Sequence, residues 1–268
     1  MESGYKETNG QRLYYEIHGA GAPLLLIMGQ GADVTTWGFQ IPAFAPHFRV
    51  ITFDNRDAGR SSMAHNDYTI ADMAEDTAGL MDALGVKNAS VLGISMGGAI
   101  AQELVLRHPD KVEKLVLACT VGQMARFRIG LLDPTLFILE HDVSREILFA
   151  QMMLQCMTHK FLQNAAAVDG MLELFKNPPF PQPPEAFLRQ ANAIRSFDAL
   201  DRLHRVRVAT LVLVGDQDIL TPPWFARELA SMIPGAVLKI IEGGGHGFSF
   251  EIPDQFNKAV LEFLMKSG

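Results

Sequence analysis

Cysteine is scarce in this chain, and its scarcity removes whole classes of protein. Cys119 and Cys156 are the only two, so a disulfide scaffold is excluded and a buried free thiol is the expected role of each. Neither stands in a Cys-x-x-Cys or other metal-ligand spacing. Long apolar runs are also missing: none approaches the roughly 20 residues of a membrane span. The polar start, Met1-Glu2-Ser3-Gly4-Tyr5-Lys6-Glu7, lacks the apolar core of a signal peptide, which points to the cytoplasm. There is no basic stripe, and with a formal net charge of -7 nucleic acid is not an expected partner.

What is present suits one α/β domain with an insertion better than two independent domains. The 268 residues allow a sizeable core, and 48% hydrophobic with 20% charged residues is ordinary for a globular protein. The chain is organised around Val91-Leu92-Gly93-Ile94-Ser95-Met96-Gly97-Gly98. A β-prone run over 89–94 meets Ser95, and a helical run over 96–107 follows at once. A strand that turns straight into a helix bends sharply at the serine. The residues two before and two after must be small, and the hydroxyl is left exposed at a helix N-terminus. The Gly-x-Ser-x-Gly pattern alone arises by chance in on the order of one chain in ten. The strand before it and the helix after it supply the confirming context.

The rest of the chain alternates. Asn9-Gly10 between β-prone runs (5–8 and 12–18) predicts a hairpin. Residues 24–28 form a short apolar strand, followed by Gly29-Gln30-Gly31-Ala32-Asp33. Such a loop can point amides at a ligand, although taken alone it reads more simply as a strand-to-helix turn. A short helix is expected over 37–45 and a strand over 49–54. Asn55-Arg56-Asp57-Ala58-Gly59-Arg60-Ser61-Ser62 reads as a self-bonded structural loop rather than a catalytic one. Residues 69–84 repeat apolar positions at helical spacing, with Gly85 as cap, and 112–119 is a further strand. This strand–helix alternation calls for a mainly parallel sheet covered on both faces.

From 121 to 197 no clear strand is found. Helices are expected over 127–140, 144–157, 161–175 and 185–195, with a proline-rich break from Asn177 to Pro184. We read this region as a helical cap, giving a core over 1–120, a cap over 121–197 and a resumed core over 198–268. Met124, Met152, Met153, Met157 and Met171, with Phe127, Phe137, Phe149, Phe161 and Phe175, either line an adaptable apolar surface or pack the cap helices together. Strands return at 208–214 and 236–241, with helices over 223–232 and 252–266.

A serine nucleophile needs a base, and the base needs an acid to orient it. Three groups sit at the C-terminal ends of strands, in the order Ser95, then Asp216 or Asp218, then His246. His246 has glycines on both sides in a loop after a strand. His18, His47, His65, His108, His141, His159 and His204 lack that combination. Asp218 is preferred as the acid because it lies far enough past its strand to reach a neighbouring loop, whereas Asp216 suits bonding to turn amides.

These residues resemble the α/β-hydrolase superfamily over nearly the whole chain. The resemblance rests on the elbow at Gly93-Ile94-Ser95-Met96-Gly97-Gly98 and on Asp54-Asn55-Arg56-Asp57-Ala58-Gly59-Arg60-Ser61, similar to D-x-R-G-x-G-x-S. It rests also on Gly215-Asp216-Gln217-Asp218-Ile219-Leu220-Thr221-Pro222, similar to G-x-x-D-x-x-x-P, and on His246 with Glu251 and Pro253, similar to H-x-x-x-x-E-x-P. It implies the α/β-hydrolase fold, a mostly parallel twisted sheet flanked by helices and carrying a helical cap. It agrees with Asp218 as the acid, and it implies an oxyanion hole made by the backbone N–H groups of Gln30 and Met96. Within the superfamily the chain most resembles small esterases, enol-lactone hydrolases and methylesterases. Two departures stand out: Met28-Gly29 replaces a common His-Gly, and Asp57 replaces a common glycine.

The resulting expectation is a serine hydrolase of carboxylic esters or lactones. Ser95, His246 and Asp218 are its catalytic residues, and its substrate is a small apolar ester or lactone. No cofactor, metal, nucleic acid or membrane span is implied, and a homo-oligomer is left open. The rivals are carbon–carbon hydrolysis or perhydrolysis on the same triad, and a ligand receptor that does no chemistry.

Overall fold

The structure, a computed structural model, describes residues 1–124 and 145–266. Its strands are β1 (Glu2–Thr8), β2 (Gln11–His18), β3 (Pro23–Ile27), β4 (Arg49–Phe53), β5 (Ala89–Ile94), β6 (Val112–Ala118), β7 (Ala209–Gly215) and β8 (Val237–Ile241). The helices are α1 (Ile41–Phe44), α2 (Ile70–Ala83), α3 (Met96–Arg107), α4 (Arg145–Cys156), α5 (His159–Leu162), α6 (Ala165–Lys176), α7 (Pro184–Arg195), α8 (Pro223–Met232), α9 (Phe248–Glu251) and α10 (Pro253–Leu264). The helix expected over 127–140, with Phe127 and Phe137, lies outside the described residues.

One sheet takes all eight strands, in the order β1-β2-β4-β3-β5-β6-β7-β8. The first two pairings, β1 with β2 and β2 with β4, are antiparallel, and the rest are parallel. Asn9 and Gly10 make the first turn at φ 46° and 72°. Positive φ at both residues matches the right-handed twist of the flanking strands. The central parallel strands β3, β5 and β7 are largely apolar and buried because both faces are covered, and alternate residues serve opposite layers. Leu25, Ile27, Val91, Leu115, Leu117, Val212 and Val214 pack with α2, α3 and α8. Leu24, Leu26, Leu92, Val116, Leu211 and Leu213 pack with Trp37, Phe44, Phe248 and Phe256 on the other face.

β3 lies between β4 and β5. The chain leaves β3 on one side and reaches β5 on the other, so the loops at their C-terminal ends diverge and open a crevice there. That crevice receives the Gly29 loop and Ser95.

Helix ends follow their caps. Thr69 and Asp72 form a reciprocal capping box on α2, the Thr69 hydroxyl accepting from Asp72 N and the Asp72 carboxylate accepting from Thr69 N. Gly85 follows at φ 67°. Two expectations require correction. The helix expected over 37–45 is a 3₁₀ turn (Val34–Trp37) followed by α1. Pro42 has no N–H for the Gly38 carbonyl, so a helix begun at Trp37 fails there and restarts at Ile41. The helix expected over 161–175 is divided into α5 and α6, because the Asn164 side chain accepts from Ala167 N at 3.2 Å and starts a new helix.

Between β6 and β7 the described residues contain α4 to α7 and one isolated bridge, Gln123 with Asp198. Phe149 of α4 and Phe175 of α6 meet with ring centroids 5.4 Å apart, so these two aromatics join helix to helix.

Candidate active site

Ser95 stands where β5 turns into α3, at φ 55° and ψ -119°. A non-glycine residue in this region costs on the order of 1–3 kcal/mol and persists only where its surroundings enforce it. Here they do. A Cβ on Gly93 would lie 2.3 Å from Gly97 O, and one on Gly97 would lie 2.0 Å from Ile27 O. Ser95 N donates to Ala118 O at 2.9 Å, and Thr120 Oγ1 donates to Ser95 O at 2.7 Å.

Three loops then converge. Ser95 Oγ lies 3.1 Å from His246 Nε2, and His246 Nδ1 lies 2.9 Å from Asp218 Oδ2. With Asp218 ionised, Nδ1–H donates to the carboxylate, which leaves Nε2 as acceptor for the serine hydroxyl. Asp218 is fixed from its own turn: its Oδ1 accepts from Leu220 N at 2.9 Å and Thr221 N at 2.7 Å, and its Oδ2 accepts from Thr221 Oγ1 at 2.8 Å. Burial pushes this carboxyl up. The His246 charge and the Thr221 hydrogen bonds outweigh burial and hold it below the ordinary aspartate range. Asp216 uses its carboxylate elsewhere, accepting from Gly243 N at 2.7 Å and tying the turn after β7 to the turn after β8.

The glycines around His246 have a packing reason. A Cβ on Gly245 would lie 2.8 Å from Cys156 O, and one on Gly247 would lie 2.7 Å from Met157 Sδ. The turn between α4 and α5 therefore presses on the histidine loop. Gly247 N donates to Cys156 O at 2.7 Å, and Glu251 accepts from both Gly245 N and Thr158 N. The Glu251 of the H-x-x-x-x-E-x-P pattern thus links the histidine loop to this turn.

The Gly29 loop faces the serine: a Cβ on Gly29 would lie 3.7 Å from Ser95 Oγ. Met96 N belongs to the first turn of α3, where amides have no intrahelical acceptor. Among the described residues no hydrogen bond engages Gln30 N, whereas Gly31 N donates to Gln190 Oε1 at 3.0 Å. Met28, which stands in place of the common histidine, is buried in the second core layer, and Asn55 Nδ2 donates to its carbonyl at 3.1 Å. Asp57, which stands in place of the common glycine, retains the left-handed backbone at φ 66°. Its carboxylate takes both guanidinium arms of Arg189 at 2.8 Å and Ala64 N at 2.8 Å. Ala58 N donates to Asn55 O, Ser61 N to Ala58 O and Ser61 Oγ to Asp54 O, so the 54–62 loop is self-bonded, as expected, and it also reaches out to α7.

Cys119, Asp218 and His246 each bring one ligand atom within 4.8 Å of the others. This set does not read as a metal centre. Asp218 and His246 Nδ1 are spent on each other, and burial and the Asp218 charge push the Cys119 thiol well above its ordinary range, away from the thiolate a metal needs.

The residues that a sequence reading passes over are Gln182, Arg189, Gln190 and Thr221. Gln190 carries a weak signal: it shares the buried face of α7 with Ala186, Ala193 and Ile194, a polar residue in an apolar stripe.

Comparison with known proteins places the chain in a family. The alpha/beta hydrolase fold model matches residues 22–253. A putative carbamate hydrolase, RutD, from Caulobacter sp. (strain K31) is 34% identical over 257 residues, covering 94% of this chain and 95% of that protein. A putative non-heme bromoperoxidase, BpoC, from Mycobacterium tuberculosis is 33% identical over 257 residues, covering 94% of this chain and 97% of that protein. Among solved structures, an enol-lactonase from Burkholderia xenovorans LB400 superposes with a TM-score of 0.88 at 27% identity, covering 98% of this chain and all of that one. The eight-stranded sheet, its flanking helices and the family model together make this chain a member of the alpha/beta hydrolase fold family.

Proposed function

We propose that this chain is a serine hydrolase that cleaves carboxylic esters or lactones through an acyl-enzyme on Ser95. The observation that carries the reading is the unbroken relay from Ser95 Oγ through His246 to Asp218, at 3.1 Å and 2.9 Å. His246 Nε2 takes the serine proton as Oγ attacks the acyl carbon, and Asp218 stabilises the imidazolium. The backbone N–H groups of Gln30 and Met96 hold the oxyanion of the tetrahedral intermediate. His246 then gives its proton to the leaving alkoxide. Water, deprotonated by the same imidazole, attacks the acyl carbon and releases the acid. Residues 121–197 act as a cap that selects the acyl and alcohol groups, with Met157 of that segment lying against Gly247.

The enol-lactonase neighbour is consistent with lactone as well as open-chain substrates. The carbamate hydrolase name carried by RutD adds carbamates to the same acyl-transfer chemistry. Perhydrolysis is a second reading. It is favoured by the name of the bromoperoxidase relative and differs only in peroxide replacing water at the second step.

Hydrolysis of 4-nitrophenyl butyrate by wild type and by Ser95→Ala, side by side, tests the proposal. Turnover is expected in the first and a loss of at least about 10³-fold in the second. Equal rates would overturn the role of Ser95. Monitoring halide oxidation with added peroxide distinguishes the second reading.

A further inference from the structure

Helix α7 lies outside the sheet, yet it carries a fully buried glutamine aimed at the Gly29 loop. Gln190 is 0% exposed, and its amide is bonded at both its oxygen and its nitrogen. Oε1 accepts from Gly31 N at 3.0 Å and from Gln182 Nε2 at 3.2 Å, while Nε2 donates to Arg56 O at 2.9 Å. A buried amide satisfied on both sides has one orientation, and any turn of its plane leaves polar groups unpaired. The loop is gripped by α7 a second time, through Gln30 Nε2 donating to Phe187 O at 3.2 Å. Phe187 also closes on Gly31, where a Cβ would lie 3.0 Å from the ring.

We propose that Gln190 is a positioning residue: by holding the Gly31 amide it fixes the Gln30–Gly31 peptide on the far side of Gln30, and so restrains the backbone of Gln30 and aims its N–H at the developing oxyanion. The inference rests on the serine-hydrolase reading. It makes the oxyanion loop a shared product of the sheet and of α7, whose arrangement is lost when α7 lifts away. Gly31 N is consumed by Gln190 and so is removed from the set of oxyanion donors. A donor displaced by about 1 Å costs on the order of 10²-fold in rate.

The test uses two variants of the full chain, Gln190→Leu and Gln190→Glu, with 4-nitrophenyl butyrate as substrate. Gln190→Leu leaves Gly31 N and Arg56 O unpaired. It is expected to lower kcat by about 10- to 100-fold with KM within about twofold, and to speed hydrogen exchange over 28–33. In Gln190→Glu the neutral carboxyl reproduces the amide, its O–H donating to Arg56 O and its C=O accepting from Gly31 N. The ionised carboxylate has no donor. Its kcat relative to wild type therefore rises toward one as pH falls and drops as pH rises, a profile that simple loosening of the fold does not produce.

A raised KM with unchanged kcat would overturn the proposal, as would wild-type exchange over 28–33 in Gln190→Leu. If Gln190→Leu does not fold, the pH profile of Gln190→Glu decides, and a flat ratio would overturn it. If wild type is no faster than Ser95→Ala, the hydrolase reading has failed. The exchange comparison then still decides whether Gln190 holds this loop.

Discussion

Asp216 and Asp218 share one turn, two residues apart, and have different tasks. Asp216 accepts from Gly243 N, while Asp218 reaches His246 Nδ1 at 2.9 Å. On the proposed reading Asp218→Asn loses on the order of 10³- to 10⁴-fold in kcat, because an amide at that position no longer fixes the imidazole tautomer. Asp216→Asn keeps most activity, since its loss is confined to a turn. Steady-state kinetics of both variants checks the assignment, and the reverse ranking would exchange the two roles. That Asp218 rather than Asp216 would reach the histidine was legible in the spacing past the strand. Thr221, whose hydroxyl donates to Asp218 and lies 3.2 Å from His246 Nδ1, was not, because a threonine in a turn has too many ordinary uses. Asp57 shows the same limit. It departs from the family pattern for a reason that lies in Arg189, 132 positions further along the chain.

At the scale of the element, α3 joins the sheet to the connection before β7. Glu103 of α3 is buried and accepts from Arg202 Nη1 at 3.1 Å and Arg107 Nε at 3.1 Å. Burial raises its carboxyl, and the two guanidinium groups, Arg202 first, bring it below the ordinary glutamate range. A carboxylate depressed in the folded state adds stability above its unfolded pKa and loses it as pH falls through the folded one. Glu103→Gln is therefore expected to cost about 1–3 kcal/mol in urea denaturation at pH 7. The cost should begin to shrink as pH falls below the ordinary glutamate value of about 4.3 and go on shrinking until pH has passed below the lowered folded value, where wild-type Glu103 takes up its proton. A cost independent of pH would assign it to packing alone. Elements were the most legible part of this chain. Parallel strands buried on both faces show as unbroken apolar runs, and α2 announces both its ends. The misread helices failed at single residues, Pro42 and Asn164, where local backbone chemistry outweighs periodicity.

At the scale of the molecule, the segment between β6 and β7 is fastened to the sheet on two flanks. On one flank the turn between α4 and α5 is bonded to Gly247 and Glu251. On the other, Arg189 grips Asp57, Gln182 Nε2 donates to Asp57 O at 2.6 Å, and Arg60 lies between the rings of Tyr14 and Phe180 at 3.5 Å and 4.5 Å. Asp57→Ala is expected to speed hydrogen exchange in α7 by on the order of tenfold or more while β3, β5 and β6 keep wild-type protection. Uniform acceleration would mean that the ion pair supports the whole fold. These fastenings were invisible in the sequence because each joins groups far apart along it, with no periodicity to betray the pair. The site has the same long reach: 151 positions separate Ser95 from His246. On a ribosome, then, the hydroxyl emerges long before the imidazole that, on the proposed reading, activates it. Ser95 therefore waits without its proposed base until β8 and the loop after it have been made.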